Sequence, residues 1–534
     1  MGSNKTLGCT IANFRPEGNF KFTAQQVVDN HDVLTNVVYP INPEIKDLHL
    51  VDFEGDDWWI LYEFDGSTWI EVADINSGQG VISNIAKNHW VDSDSDSLIS
   101  SPNDITRPYT KISDAFNIAL TVPPASGTLE DITGNTGYYA NSYLPNADTI
   151  HLLGDNVYLS TAEVALIPTK KNVKLNIEGG LRIQDGATLE NIFDFLMDIK
   201  GHGYIYKSGT NGIINNPVDL SNIDIDLDSL YFKGSPTSAI NLTNSGAINS
   251  IRFKNVYINT GTFVTLTGVG NQGTSIAVNK LMFMGGSSNV NYALQLPTTS
   301  VGTSTLSRKV TNVNIESISM PNAGSFKVLG MYASTYTNQR LNLSIGQIET
   351  NTTPEDLLIY YGSTTNIANS DLYISVDQLS NFHQLFLATQ STINGNITLD
   401  VKSHIKGAYI CSLQNTEITG KLSLKGHYSG FMIFDYDADY LGSTTVDIYF
   451  EGKMNYVGYS IYVIANKPNM TFNIYLNNAI LINNGSSALV NLIGTDTATC
   501  TINLICTNVK TNTLTTDPIQ VNVIGDLTRN VNFK

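Results

Sequence analysis

At 534 residues the chain is long enough for several ordinary domains or for one solenoid extended by repetition. Thirty Lys+Arg stand against 48 Asp+Glu, a formal charge of −18, which repels a phosphate backbone or an anionic leaflet and argues against nucleic-acid binding and membrane insertion. Only 15% of residues are charged, so the surface has to be built from the Asn, Ser and Thr that recur along the whole length.

No run approaches the roughly 18–20 apolar residues of a membrane span, and the N-terminal stretch has no basic-then-apolar secretion signal. Met1-Gly2-Ser3-Asn4-Lys5-Thr6 fits the loose myristoylation pattern, which matches by chance too readily to carry weight. Cys9, Cys411, Cys500 and Cys506 are too scattered for a disulfide framework or a zinc site. The chain reads as one that folds in a reducing cytoplasm.

Trp58, Trp59, Trp69 and Trp90 are the only tryptophans, and their clustering marks a compositional boundary. Residues 48–53, 58–64 and 68–72 read as short strands, with Asp65-Gly66-Ser67 as a hairpin turn. Residues 1–85 are therefore expected to form a small separate β domain. Residues 86–165 form a junction and first coil. There Thr110 is the expected N-cap, and Ile112, Ala115, Phe116 and Ala119 recur at i, i+3, i+4, i+7. This is the one helix the pattern predicts, placed where a β-helix needs its open first edge covered.

From residue 166 to 534 one pattern dominates: apolar residues at alternate positions, then a polar or small pair. It is clear in VKLNIEG (173–179), FLMDIKG (195–201), IDIDLDS (223–229), LYISVDQ (372–378), GKLSLKG (420–426), VDIYFEG (446–452) and IQVNVIG (519–525). The last apolar residues of the blocks are Ile177, Ile199, Leu227, Phe253, Val278, Ile315, Ile345, Val376, Val401, Leu424, Phe450, Leu476, Cys506 and Val523. Most intervals fall between 22 and 31 residues, the signature of a solenoid that keeps its strands and varies its turns. Alternation puts one side of each strand inward. Stacked coils then bury a continuous apolar column, with backbone groups paired to the coils above and below. About fourteen coils at the ~4.8 Å strand spacing would give a rod on the order of 65 Å long. The fold expected is all-β, a parallel β-helix with an N-terminal cap helix, preceded by the small β domain.

Trp90-Val91-Asp92-Ser93-Asp94, then Thr106-Arg107-Pro108-Tyr109-Thr110-Lys111-Ile112 with Asp114-Ala115-Phe116, then Asn146-Ala147-Asp148-Thr149-Ile150-His151-Leu152-Leu153 and Val157-Tyr158, resembles the opening coil of pectate-lyase-like right-handed parallel β-helix proteins. Leu61-Tyr62-Glu63-Phe64-Asp65-Gly66-Ser67-Thr68-Trp69 is similar to short hairpins of phage tail proteins. The resemblance implies a bacteriophage tail fibre or tailspike, its first domain docked to the virion and its helix reaching the host. It further implies catalysis, where present, by Ca²⁺-binding Asp clusters with a basic residue in lyases, or by Asp pairs across neighbouring coils in hydrolases.

Among candidate constellations, Phe434-Asp435-Tyr436-Asp437-Ala438-Asp439-Tyr440 comes first. If extended, Asp435, Asp437 and Asp439 share one face and Tyr436 and Tyr440 the other. Two carboxylates about 5–9 Å apart suit acid-catalysed glycoside hydrolysis, and the trio also suits a Ca²⁺ ion. The plainer reading, a solvated acidic turn, is the one adopted. Asp92-Ser93-Asp94-Ser95-Asp96 begins like an EF-hand loop, but Ser97 and Asn103 stand where Gly and Glu are required. Asp224, Asp226 and Asp228 alternate with Ile223, Ile225 and Leu227 and read as an ordinary solvent face. Arg252, Arg308 and Arg340 are the only arginines between Arg182 and Arg529, so neither catalytic pattern maps onto the chain residue by residue. The eight histidines are dispersed, and no metal site is assigned.

Tyrosines between the blocks, among them Tyr336, Tyr360, Tyr361, Tyr436 and Tyr440, are the glycan-binding candidates. Aromatic faces beside Asn and Asp suit sugar rings, while the competing reading is turn packing or a trimer seam. The expectation is a homotrimeric, non-enzymatic appendage on the virion tail. It would bind a host-surface glycan and dock to a tail or baseplate protein, with no cofactor unless Ca²⁺. The alternative is a tailspike depolymerase, a polysaccharide hydrolase or lyase. A bacterial adhesin is disfavoured by the missing secretion signal.

Overall fold

A computed structural model describes residues 22–27, 39, 41–43, 47–53, 58–76, 87–95, 105–119 and 147–533, the last range apart from short segments between strands such as 437–444. By internal contacts the chain divides into two units, Met1–Ala86 and Lys87–Lys534.

The first unit contains a four-stranded sheet of Phe22–Val27, Leu48–Phe53, Trp58–Phe64 and Trp69–Asn76. Its first pair is parallel and the others antiparallel. The hairpin forms because the Asp65 carboxylate accepts from the backbone N–H groups of Ser67 (2.7 Å) and Thr68 (2.8 Å) while Gly66 takes φ +104°. These bonds hold the Asp65 carboxyl below its ordinary pKa.

The second unit is a parallel β-solenoid of roughly ten turns, and about 69% of the described residues are strand. One sheet of 23 strands and one of eleven run along it. The coil count differs from the expected fourteen. The second sheet begins only at Ile240–Leu242, so the earliest blocks ladder in the first sheet alone. The last block, read as closing the column at Val523, supplies Ile519–Val521 to the second sheet, and Val523 itself lies outside the described residues. The closing strand of the long sheet is Leu527–Phe533, which sets Phe533 against Cys506.

Strands of five or six residues were expected, but those of the long sheet run through the polar pair. Asn222–Phe232 and Ile248–Ile258 are each eleven residues long. Pairing skips Asp228 and Lys254, and alternation restarts there, with Leu227 and Leu230 both buried. The polar pair is thus a corner at which the strand re-aims its inward face, and an Asp228–Lys254 ion pair of 2.7 Å spans it.

The interior is a file of apolar side chains: Leu175, Ile199, Ile225, Ile251, Ile276, Val313, Leu343, Ile374, Leu399, Leu424, Phe450, Leu476 and Cys506, each at most 1% exposed apart from Val313 at 3%. The expected single column of block ends is corrected by a two-residue slip. Leu227, Phe253, Val278, Ile315, Ile345, Val376 and Val401 form a second inward file that continues into Gly426, not Leu424. A slip of two preserves facing because the side-chain period is two.

Helix Ile112–Ile118 buries Ile112, Ala115 and Phe116, with Phe116 edge-on to Phe193 at 5.9 Å. Its N-cap is Lys111, not the expected Thr110, and no side chain caps it. A second short helix, Thr161–Ala165, had not been expected. Its signal was Ser160-x-x-Glu163: the Ser160 hydroxyl accepts from the Glu163 N–H at 3.1 Å. No helix among the described residues is long and apolar enough to cross a membrane.

His404 stands in the next inward file, paired with Leu379. Nδ1 accepts from the Ser429 N–H (3.4 Å), so Nε2 donates to the Phe382 carbonyl (3.2 Å), and the ring is neutral. Burial lowers its pKa to about 4, against the opposing pull of the Phe382 carbonyl. The unfolded chain takes up this proton near pH 6.5 and the folded chain only near pH 4. The contribution is therefore complete above pH 6.5 and is lost as pH falls through that window, about 3 kcal/mol at most. Urea midpoints of the wild type and His404→Asn at pH 7.5 and 4.5 should show a smaller acid loss in the variant. Equal losses would place His404 outside the titration.

Candidate functional site

The described residues among those singled out in the sequence lie on three strands of the two sheets, Thr335–Thr337, Leu357–Tyr361 and Phe431–Tyr436. Asp435 lies half-buried in Phe431–Tyr436 of the second sheet, between Gln414 and Ile464 on adjacent rungs, and its backbone carbonyl accepts from the Asn415 N–H. Asp437, Asp439 and Tyr440 lie outside the described residues. Of Tyr336 and Tyr360 the backbone is described. Tyr336 pairs with Ser300 and Ile367 in the long sheet, and Tyr360 with Gly330 and Leu387 in the second. Among the described residues no three His, Cys, Asp or Glu side chains gather as metal ligands.

Tyr361 and Tyr436 are corrected outright, because both are fully buried. Tyr361 stands in an inward file between Met331 and Ala388, where the small alanine leaves room for its ring, and it packs edge-on to Phe386 at 5.2 Å. Tyr436 stands over Ala465, and its hydroxyl donates to the Thr416 carbonyl at 2.7 Å. Tyr428, in Glu417–Ser429 of the long sheet, is likewise buried, with its hydroxyl on the Leu399 and Lys425 carbonyls. The Tyr361 and Tyr436 segments looked like turns because the repeat in the sequence marks only the long sheet. Leu357–Tyr361 and Phe431–Tyr436 are second-sheet strands too short to show alternation.

The outer face of the long sheet carries what the sequence reading missed. Tyr158, Arg182, Tyr206, Tyr231 and Tyr257 occupy successive rungs in register. They point outward, since the residues on either side of each are buried. The Tyr231 and Tyr257 rings stack at 4.9 Å and 4°, Tyr204 meets Tyr231 edge-on at 5.8 Å, and Arg182 lies 5.2 Å over the Tyr206 ring. A flanking file runs Tyr204, Ser229, Asn255 and Lys280.

Asp224, on the strand that carries Tyr231, and Asp198, on Leu196–Lys200, are opposite neighbours. They were read as part of the solvent face or passed over. Rungs ~4.8 Å apart set the two side chains next to each other, within reach of the ~5–5.5 Å carboxyl separation of a retaining glycosidase pair. Burial, reinforced by Asp224, raises the Asp198 pKa against the pull of Lys200. Lys200 Nζ is 2.5 Å from Asp224 and 3.9 Å from Asp198, whose buried Oδ1 has no hydrogen-bond partner. The environments of the two carboxyls thus differ, as an acid and its charged partner require.

A second outward group lies in the C-terminal coils. Tyr449 and Tyr475 stack at 4.4 Å and 4°, Lys421 lies 4.5 Å over Tyr449, and amide ladders run beside them from Asn503 to Asn473 to Asp447, both bonds 2.6 Å.

Comparison with protein-family models, with curated proteins and with solved structures returns no match.

Proposed function

We propose that this chain is a bacteriophage tail-fibre or tailspike-type virion appendage that attaches to a host-surface glycan. The observation that carries the reading is the outward ladder Tyr206, Tyr231, Tyr257 beside Ser229 and Asn255. Phenol groups repeat there at the ~4.8 Å rung spacing with a hydroxyl and an amide alongside, a donor–acceptor surface suited to a polyhydroxylated polymer. The resemblance of the opening coil supplies the virion context. On this reading the solenoid is right-handed and homotrimeric, and the Ile112–Ile118 helix covers its first edge. The first unit docks to a tail or baseplate protein, and the chain folds in the host cytoplasm.

A second reading, a depolymerase hydrolysing that glycan, is favoured by one observation, the Asp198–Asp224 pair. Two measurements decide between them. On an array of bacterial surface polysaccharides the wild type should be retained by at least one glycan, and Tyr231→Ala with Tyr257→Ala should weaken retention tenfold or more. Retention by none would remove the attachment reading. Incubation with the retained glycan should release no new reducing ends. Their appearance, and their loss in Asp198→Asn with retention intact, would install the depolymerase instead.

A further inference from the structure

We infer that the tyrosine ladder selects a polysaccharide bearing carboxylates; this rests on the glycan reading above and names its ligand class. The inference begins from how the rings are used. Tyr231 and Tyr257 cover each other's faces, and Arg182 covers a face of Tyr206. The rings along this file therefore offer the solvent their edges and phenol hydroxyls more than open faces. An aromatic edge is the electropositive part of the ring quadrupole, and a phenol O–H is a donor. Both match an anionic oxygen better than the C–H face of a neutral sugar.

The charged groups point the same way. The Arg182 guanidinium has no acidic partner among the described residues, and its buried Nε has no hydrogen-bond acceptor. An unpaired arginine is informative in a chain of net charge −18, because a planar guanidinium pairs with a carboxylate in two parallel bonds. No acid enters this file until Glu349, three rungs past Tyr257. The flanking file supplies Lys280 and neutral hydroxyls and amides. The nearest carboxylate along the strand, Asp228, is held by Lys254 at 2.7 Å. From Tyr158 to Tyr257 the file spans four rung steps, ~19 Å, room for several sugar residues of a chain laid along the axis.

The test is calorimetric titration of the full chain with oligomannuronate, hyaluronan oligosaccharides and oligosialate, and with neutral maltoheptaose. At least one acidic saccharide should bind, more weakly as salt rises, and maltoheptaose should bind at least tenfold less. Arg182→Gln should weaken the acidic ligand tenfold or more, and Arg182→Lys should recover part of the loss. Tyr373→Ala, an exposed tyrosine in another file, should change nothing. Unchanged circular dichroism would show that each variant is folded. Binding by none of the three acids, or an Arg182→Gln affinity equal to wild type, overturns the inference. Retention of neutral polysaccharides on the array in that case leaves the attachment reading standing, whereas no retention of any kind sinks both. A change in sedimentation of Tyr231→Ala would show the ladder to be a seam between subunits and would equally overturn it.

Discussion

Leu424→Asp should abolish folding of the solenoid. Leu424 is 1% exposed and stands between Leu399 and Phe450 in the inward file. The substitution places a carboxylate among apolar rungs with no cationic partner, at a cost of several kcal/mol. Total stabilities of about 5–15 kcal/mol leave little to absorb that. A solenoid adds a second penalty, because each coil is stabilised mainly by the two it touches, so one broken rung uncouples both sides. Leu424→Ala removes only packing and should fold with a stability lower by about 2–5 kcal/mol. Lys425→Gln, one residue on and facing out, should stay within about 0.5 kcal/mol. The check is solubility together with the urea midpoint. A soluble Leu424→Asp with a wild-type midpoint would refute the inward register.

Gly426→Ala is expected to destabilise nearly as strongly, for a backbone reason. Gly426 has φ +114°, and a Cβ there would fall on the Val401 carbonyl oxygen; Gly452, at φ +130°, stands in the same relation to Gly426. The clashing atom belongs to the backbone of the adjacent rung, so it cannot swing aside. Left-handed strain alone costs about 1–3 kcal/mol, before the rungs are forced apart. Gly273→Ala is the matched control, since a Cβ there meets nothing within 4 Å. It should be neutral or slightly stabilising, by less than about 1 kcal/mol. Thermal unfolding of the two variants should differ by several degrees or more. Equal midpoints would mean that the Gly426–Gly452 stack is not a close approach.

The sequence by itself determined the repeat, the inward residues of the long sheet and the parallel solenoid. Each follows from period-two alternation, a property of single strands that one coil displays as clearly as ten. It could not determine which coil's residue lies opposite which. Register arises from the stacking of coils whose turns differ in length, and a slip of two residues leaves the alternation pattern unchanged. Hence Leu424 faces Leu399 rather than Val401, and the polar pair of each block proves to be a corner within one long strand. The same limit hid the candidate site. Asp198 and Asp224, or Tyr206, Tyr231 and Tyr257, are far apart along the chain and become neighbours only when rungs align. It also misplaced Tyr361 and Tyr436, whose short second-sheet strands carry too little alternation to distinguish an inward ring from an exposed one. Tertiary structure decides these because the partner of every outward side chain is set by the neighbouring coil.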